Sequence, residues 1–419
     1  MLKIAELSPK YKNTVYACYF TGFSMSAAAN LSALLFIPLH DIYGISFTQL
    51  GFLVLVNFCT QLFIDLVFSF FSDRFNLEKT IKAIPAVVLI GLLVYAVVPI
   101  FLPDFTYIAL VVGTFIFSLG AGLGEVLTSP VIAAIPSENP EAEMSKLHSA
   151  YAWGVVAVVI VSTLMLRIIG NENWMYLAIF WCLLPLIAFV LFRKSVIPDL
   201  NLHGGSDNSD KKNDRFGILL CTVCIFFGGA AEMAMTQWVS GFAQNALGID
   251  KVYGDIFGMA LFAFALGSGR TLYAKIGKNI HLVLLLGMGL SCVCYVVAAV
   301  SSSSLTGLMA CALTGFFTSM LWPGTIIYTN ENFASVGVGV YALLAAGGDL
   351  GASLSPQLMG IIADKFSQFE IASKLHIFNN CSAEEAGMKA GMLFAGIFPL
   401  IGFFLLIYMK RYFAKQKNK

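Results

Sequence analysis

Long apolar runs follow one another along the whole chain, and no other feature of the sequence narrows its fold as much. A backbone in hydrocarbon has no water to bond, so each N–H and C=O must find its partner in the chain, and only helices and closed barrels achieve this. A helix needs about 20 residues to cross a bilayer and a strand about 10, and the runs here are of the longer kind. Spans are predicted near 14–39, 48–72, 81–102, 105–131, 147–169 and 173–193, and again near 216–244, 252–274, 280–300, 305–328, 336–363 and 388–409. Charged residues are 12% of the 419 against 58% hydrophobic, outside the range of ordinary soluble domains. The expectation is an all-α membrane protein of twelve transmembrane helices in two pseudo-symmetric six-helix bundles, 1–194 and 216–419. Between them the linker 195–215 carries the polar run HGGSDNSDKKNDR, too poor in apolar side chains to bury a core.

The first thirteen residues are polar, and the run behind them is too long for a signal-peptide core, so it is expected to stay as a membrane helix. With the N-terminus cytoplasmic, most of the 25 Lys and Arg fall on that side. Arg167, Lys251, Lys365, Lys374 and Lys389 fall on the other, and Arg270 stays inside a helix. Lys and Arg concentrate on the cytoplasmic side of membrane proteins, so both termini are expected inside a plasma membrane, here a bacterial inner membrane. A net charge of +1 gives no reason to expect nucleic acid. The nine cysteines are scattered, mostly in apolar runs, and lack the polar loops of a zinc site, so no metal or cofactor is expected. There is no G-x-x-x-x-G-K-[ST] phosphate loop and no H-E-x-x-H, and enzyme chemistry is not expected.

The fourth span, FSLGAGLGEVLTSPVIAAIPSEN, holds a carboxylate at bilayer depth. Ser118, Gly122, Glu125, Thr128 and Ser129 stand three and four apart, a narrow polar stripe on an otherwise apolar helix. An ionised side chain at mid-membrane costs about 3 kcal/mol on insertion scales, so Glu125 is expected to face a wet cavity or a partner and to carry a proton; the plainer alternative is an interhelical hydrogen bond. The stretch recurs as LTGFFTSMLWPGTIIYTNEN. Setting Pro130 on Pro323 also sets Gly122 on Gly315 and Glu138-Asn139 on Glu331-Asn332, as a duplicated half would.

Other polar groups lie within spans. Asn57, Gln61, Asp65, Ser69 and Asp73 are each four apart on the second, with Asp65 a candidate proton or sodium ligand and Asn57 and Gln61 candidate solute contacts, or the stripe serves packing beside the charged loop. The seventh span, FFGGAAEMAMTQWVSGF, sets Glu232, Thr236 and Ser240 on one face with Gln237 and Trp238 beside them. These suit sugar hydroxyls with an indole over the ring, or equally an amine held by carboxylate and indole; the plainer alternative is a core aromatic near the outer interface with a hydrogen-bonded Gln237. Asp349 lies among small residues in the eleventh span and is a third candidate for proton coupling, or a packing group. Asn30 in the first span, His148, Tyr151 and Trp322 complete the candidate solute contacts. Arg270 is expected to pair with a carboxylate that the sequence does not identify.

Two stretches carry a resemblance. After the second span, SFFSDRFNLEK keeps Asp73 and Arg74 of the motif G-x-x-x-D-R-x-G-R-R, with Ser69 and Asn76 where that motif has glycine, and the matching loop of the second half, YAKIGK, keeps a glycine and its basic charge. With twelve spans and a central linker, this resembles the major facilitator superfamily. The resemblance implies a charge latch formed by Asp73, Arg74 and Lys275; the alternative is that these are charges setting topology. Within that superfamily, proton-coupled sugar permeases of the fucose, galactose and hexose group carry E-T-x-x-N-P followed by R-L-N-L-A-Q. Here Glu125 and Pro130 keep their places in the first, and Lys146, Leu147 and Ala150 in the second, with His148 and Tyr151 replacing asparagine and glutamine. That resemblance implies that Glu125 binds the coupling proton and that the region of His148 faces solute. The first-span aspartate of that group is absent, and Asn30 is the polar residue offered there.

The expected function is secondary active transport by alternating access, with proton-coupled uptake of a sugar or similar small polar solute by a monomer in the bilayer, and sodium as the other candidate ion. A drug or organic cation exporter driven by proton antiport, using Glu125, Glu232 and Asp349 to attract cations, is the rival. A non-transporting membrane receptor is the remaining alternative.

Overall fold

The computed structural model describes residues 9–71, 74–137, 140–198, 200, 215–276, 279–333, 338–368 and 381–417. They are helical almost throughout. The first six helical segments are α1 (Lys12–Tyr43), α2 (Phe47–Phe71), α3 (Leu77–Phe101), α4 (Thr106–Ala134), α5 (Pro140–Ile169) and α6, in two pieces, Trp174–Trp181 and Leu183–Arg193. The next three are α7 (Arg215–Asn245), α8 (Lys251–Gly254, a wide π-helical turn Asp255–Ala260, and Leu261–Ile276), and α9 (Ile280–Val300). The last three are α10 (Ser304–Thr318 and Leu321–Asn332), α11 (Val338–Gln368) and α12 (Ala383–Ala395 and Ile397–Lys417). Among the described residues, ten helical stretches are long and apolar enough to cross a membrane, with Trp153–Ile169 of α5 a shorter one. The twelve segments match the twelve predicted spans to within eight residues at each end.

The described residues fall into two compact units, Met1–Pro38 with Cys59–Gly205, and Leu39–Phe58 with Ser206–Lys419. The core of the first includes Cys18, Ile81, Ile84, Leu127, Val131 and Phe192. That of the second includes Cys221, Ile225, Leu284, Met288, Leu321 and Leu406. Large apolar side chains such as Phe101, Ile168, Phe264 and Leu305 point outward. A surface of this kind suits lipid rather than water.

The end of α1 and the first half of α2 are grouped with the second unit. Hydrogen bonding accounts for this. The first N–H groups of a helix have no partner within it, and those of Phe47 and Thr48 donate to the two carboxylate oxygens of Asp364 on α11, at 3.0 and 2.6 Å. Gln357 Nε2 donates to Thr48 O at 3.2 Å, and Phe47 meets Trp238 edge-on. The predicted linker lies mostly outside the described residues.

The duplicated stretch occupies matching places in the two units. A Cβ at Gly122 of α4 would stand 3.1 Å from Gln61 Cα on α2. One at Gly315 of α10 would run into the carbonyl of Phe262 on α8. Each glycine thus lets the fourth helix of its unit touch the second. The copies differ at their proline: α4 runs through Pro130 unbroken, whereas α10 breaks at Ser319-Met320, just before Pro323.

Candidate functional site

In the second unit, two charged side chains of different helices meet. Glu232 of α7 is buried and Arg270 of α8 is half-exposed; Nη2 of the arginine lies 3.5 Å from Oε1 of the glutamate. Arg270 Nε donates to Ser319 O at 3.0 Å. That carbonyl is available because Pro323, four residues on, has no N–H to offer it, and freed carbonyls in membrane helices are met by neighbouring groups. Glu232 Oε2 is buried and has no hydrogen-bond partner among the described residues. The pairing is therefore single-stranded and long, although a guanidinium has five N–H donors and can grip a carboxylate with two.

The Trp322 ring lies where a Cβ on Gly348 of α11 would collide with it, and close to Gly229 of α7, three residues before Glu232. Asp349, next to Gly348, is half-buried. Thr236 Oγ1 turns back on its own helix, donating to Glu232 O at 2.8 Å. Gln237 is buried. Trp238 is fully buried and its Nε1 donates to Pro356 O at 3.0 Å, so its ring faces the α2–α11 junction and not the Glu232–Arg270 pair.

The first unit sets Glu125 differently. It is exposed on α4 and makes no hydrogen bond or ion pair with any described residue. Its neighbour Gly124 admits Met25 and Thr21 of α1. Thr128 of the same stripe is buried and donates to Gly124 O at 2.6 Å. Asn30 is buried and bonded to Ser26 O at 2.8 Å within α1. Ser26 also donates to Tyr151 O at 2.8 Å, tying α1 to α5, while the Tyr151 side chain is exposed. On α2, Asn57 is buried and Gln61 and Asp65 are half-buried. Arg74 is exposed and sits over the Phe71 ring, 5.1 Å from its centroid. Asp73, Glu138 and Asn139 lie outside the described residues, as do the side chains of His148 and Lys275.

Two charged groups carry roles absent from the sequence-based expectations. Asp364 caps α2. Asp255, wholly buried in the wide turn of α8, accepts hydrogen bonds from Ser240 Oγ of α7 and from Lys251 Nζ, the latter at 3.1 Å. Its spacing of four from Lys251 is the available signal, for such pairs meet on a helix. Two clefts of about 430 and 330 Å³ lie in the second unit, the smaller bordered by Gly269 and Ser319 beside Arg270. Neither is lined by a charged side chain, and the smaller has Tyr273 and Ser319 as its polar lining.

Residues 15–356 match the family model of the Major Facilitator Superfamily. Among solved structures, the chain is similar to a bacterial homologue of the human lysosomal transporter Spinster, inward-facing and occupied, with a TM-score of 0.75 and 15% identity over 97% of this chain and 98% of that one. It is also similar to a D-xylose–proton symporter, at 0.73 and 15% over 92% and 96%, and to the nucleoside transporter NupG, at 0.72 and 10% over 94% and 98%. None of the curated proteins matches it in sequence. Helix order, the repeated fourth and tenth segments and the family match agree: the chain is a multi-pass membrane protein of the Major Facilitator Superfamily.

Proposed function

We propose that this protein is a proton-coupled carrier that takes up a small polar solute, sugar-like in its hydroxyl chemistry, by alternating access. The observation that carries the reading is Glu125, an exposed carboxylate within a membrane-spanning helix that no described side chain neutralises. Desolvating a bare carboxylate when a cavity closes is costly, so a carrier with Glu125 protonated reorients more readily than one with it ionised, and this difference couples solute to proton flow. The likeness of the fold to a xylose–proton symporter and a nucleoside transporter supports a hydroxyl-rich solute. The protein acts as a monomer in a bacterial inner membrane with both termini cytoplasmic; Asp65 and Asp349 are further carboxylates for coupling, and the resemblance of their loops gives Asp73, Arg74 and Lys275 the role of a cytoplasmic charge latch.

The test is solute-induced acidification inside liposomes holding the purified protein, over a panel of monosaccharides, amino acids and organic cations, with and without sodium. A sugar-dependent signal is expected, lost in Glu125→Gln while solute exchange persists. Accumulation undiminished in Glu125→Gln removes the coupling role, and a response to cations alone favours the exporter.

A further inference from the structure

We propose that Arg270 is a docking point for a carboxylate on the transported solute, so that the solute is a sugar acid or similar small hydroxylated organic anion; this rests on the reading of the chain as a proton-coupled carrier. Neither member of the Glu232–Arg270 pair is saturated. The guanidinium spends one donor on Ser319 O and reaches one glutamate oxygen at 3.5 Å, beyond the 2.7–2.9 Å typical of a charge-assisted hydrogen bond. Its side chain is 45% exposed, whereas that of Glu232 is 10% exposed with Oε2 unpartnered among the described residues. An ion pair that serves stability alone is expected to be short and fully hydrogen-bonded, because burial of two charges is otherwise costly. Here the cation keeps an open edge.

Glu232 then stands in for the solute carboxylate when the site is empty. An incoming carboxylate gripping Arg270 with two hydrogen bonds takes over the guanidinium, and Glu232, enclosed and stripped of its cation, takes up a proton and enters the cycle neutral. Anion and proton thus move together, with no net charge added to the apolar surroundings. The other titratable groups in reach are Tyr295 of α9, whose hydroxyl donates to Ala231 O at 2.7 Å, the thiols Cys294 and Cys311 near it, and Asp349 of α11 beyond Gly348. Among the described residues around the pair, Arg270 is the cation.

D-glucuronate and D-glucose share a ring and differ by the carboxylate, and are the probes. Full-length protein in liposomes is expected to take up glucuronate with acidification of the lumen and to prefer it to glucose by more than tenfold. Arg270→Gln is expected to lower glucuronate uptake at least a hundredfold and Arg270→Lys more than tenfold, since an ammonium lacks the planar fork. The melting temperature of solute-free Arg270→Gln, unchanged from the parent, shows that this variant is folded, and Glu232→Gln tests the other half of the pair. It keeps the cation but removes the competing carboxylate, so glucuronate is expected to bind more tightly, seen as a larger rise in melting temperature, and to move with fewer protons per solute. Glucose accumulating with protons, unaffected in Arg270→Gln, overturns the inference and leaves the carrier reading standing. Glucuronate uptake that needs Arg270 but carries no proton does the reverse. Silence toward both probes in transport and melting temperature overturns the inference.

Discussion

Arg270 Nε and the carbonyl of Ser319 stand 3.0 Å apart, and through this bond a side chain of α8 completes a backbone that Pro323 interrupts in α10. Fold and site meet in one interaction. The break in α10 supplies the acceptor that fixes the guanidinium beside Glu232.

Pro323→Ala would give Ser319 O a backbone donor and heal the break. The melting temperature is expected to hold or rise while solute affinity falls, by about tenfold if the Arg270 bond contributes about 1.5 kcal/mol. Thermal unfolding and binding measured on the same sample separate the two effects. A parallel fall in both would show that the break serves packing alone.

Asp364 binds the first two N–H groups of α2. Asp364→Ala is expected to cost about 1–2 kcal/mol, as loss of a helix cap does, and Asp364→Asn less. Hydrogen exchange at the Phe47 and Thr48 amides should quicken in the alanine variant, with α7 amides unchanged.

Lys251 and Asp255 test a different physics. Lys251→Met leaves a wholly buried carboxylate without its cation and is expected to destabilise by about 3–5 kcal/mol. Adding Asp255→Asn should return much of that loss. Calorimetric unfolding of the single and double variants gives the comparison, and an additive double variant would mean the two residues do not interact.

The paired glycines predict an order of effects. Gly315→Ala drives a methyl into the Phe262 carbonyl, and overpacking of this kind costs about 1–3 kcal/mol. Gly122→Ala meets Gln61 and Ile64 at 3.1 Å, where a small shift suffices. Its melting temperature should fall less.

Trp238→Phe removes the hydrogen bond to Pro356 O and is expected to cost about 1 kcal/mol. Because Trp238 is enclosed at the α2–α11 junction, solute affinity should not change. A change of affinity would return the residue to the solute path.

Much of the fold is legible in the sequence because helix length in a bilayer is set by thickness, so apolar run lengths locate the spans directly. The Gly122 and Gly315 match is legible too, because close helix contact tolerates no side chain at either position. Partnerships between helices are not. Arg270 and Glu232 are 38 positions apart, and no local spacing links them. Lys251 stands at the edge of a span, where most lysines set topology, and that position hides its part in a buried pair. Chain order places Leu39–Phe58 in the first half, whereas the donors at the start of α2 find their acceptor on α11.

The wide turn Asp255–Ala260 also sets the phase of the rest of α8. A π-helical turn amounts to one residue inserted into an α-helix, and each residue of an α-helix advances it by about 100°. Every side chain from Leu261 onward is therefore rotated by about that much from where an unbroken helix would hold it. Deleting one residue within the turn would swing Arg270 away from Glu232 and Gly269 away from Ser319, with no contact residue altered. The aim of the guanidinium is thus written as a count of residues some ten positions upstream, and the chemistry of the site depends on arithmetic in a segment that never touches it.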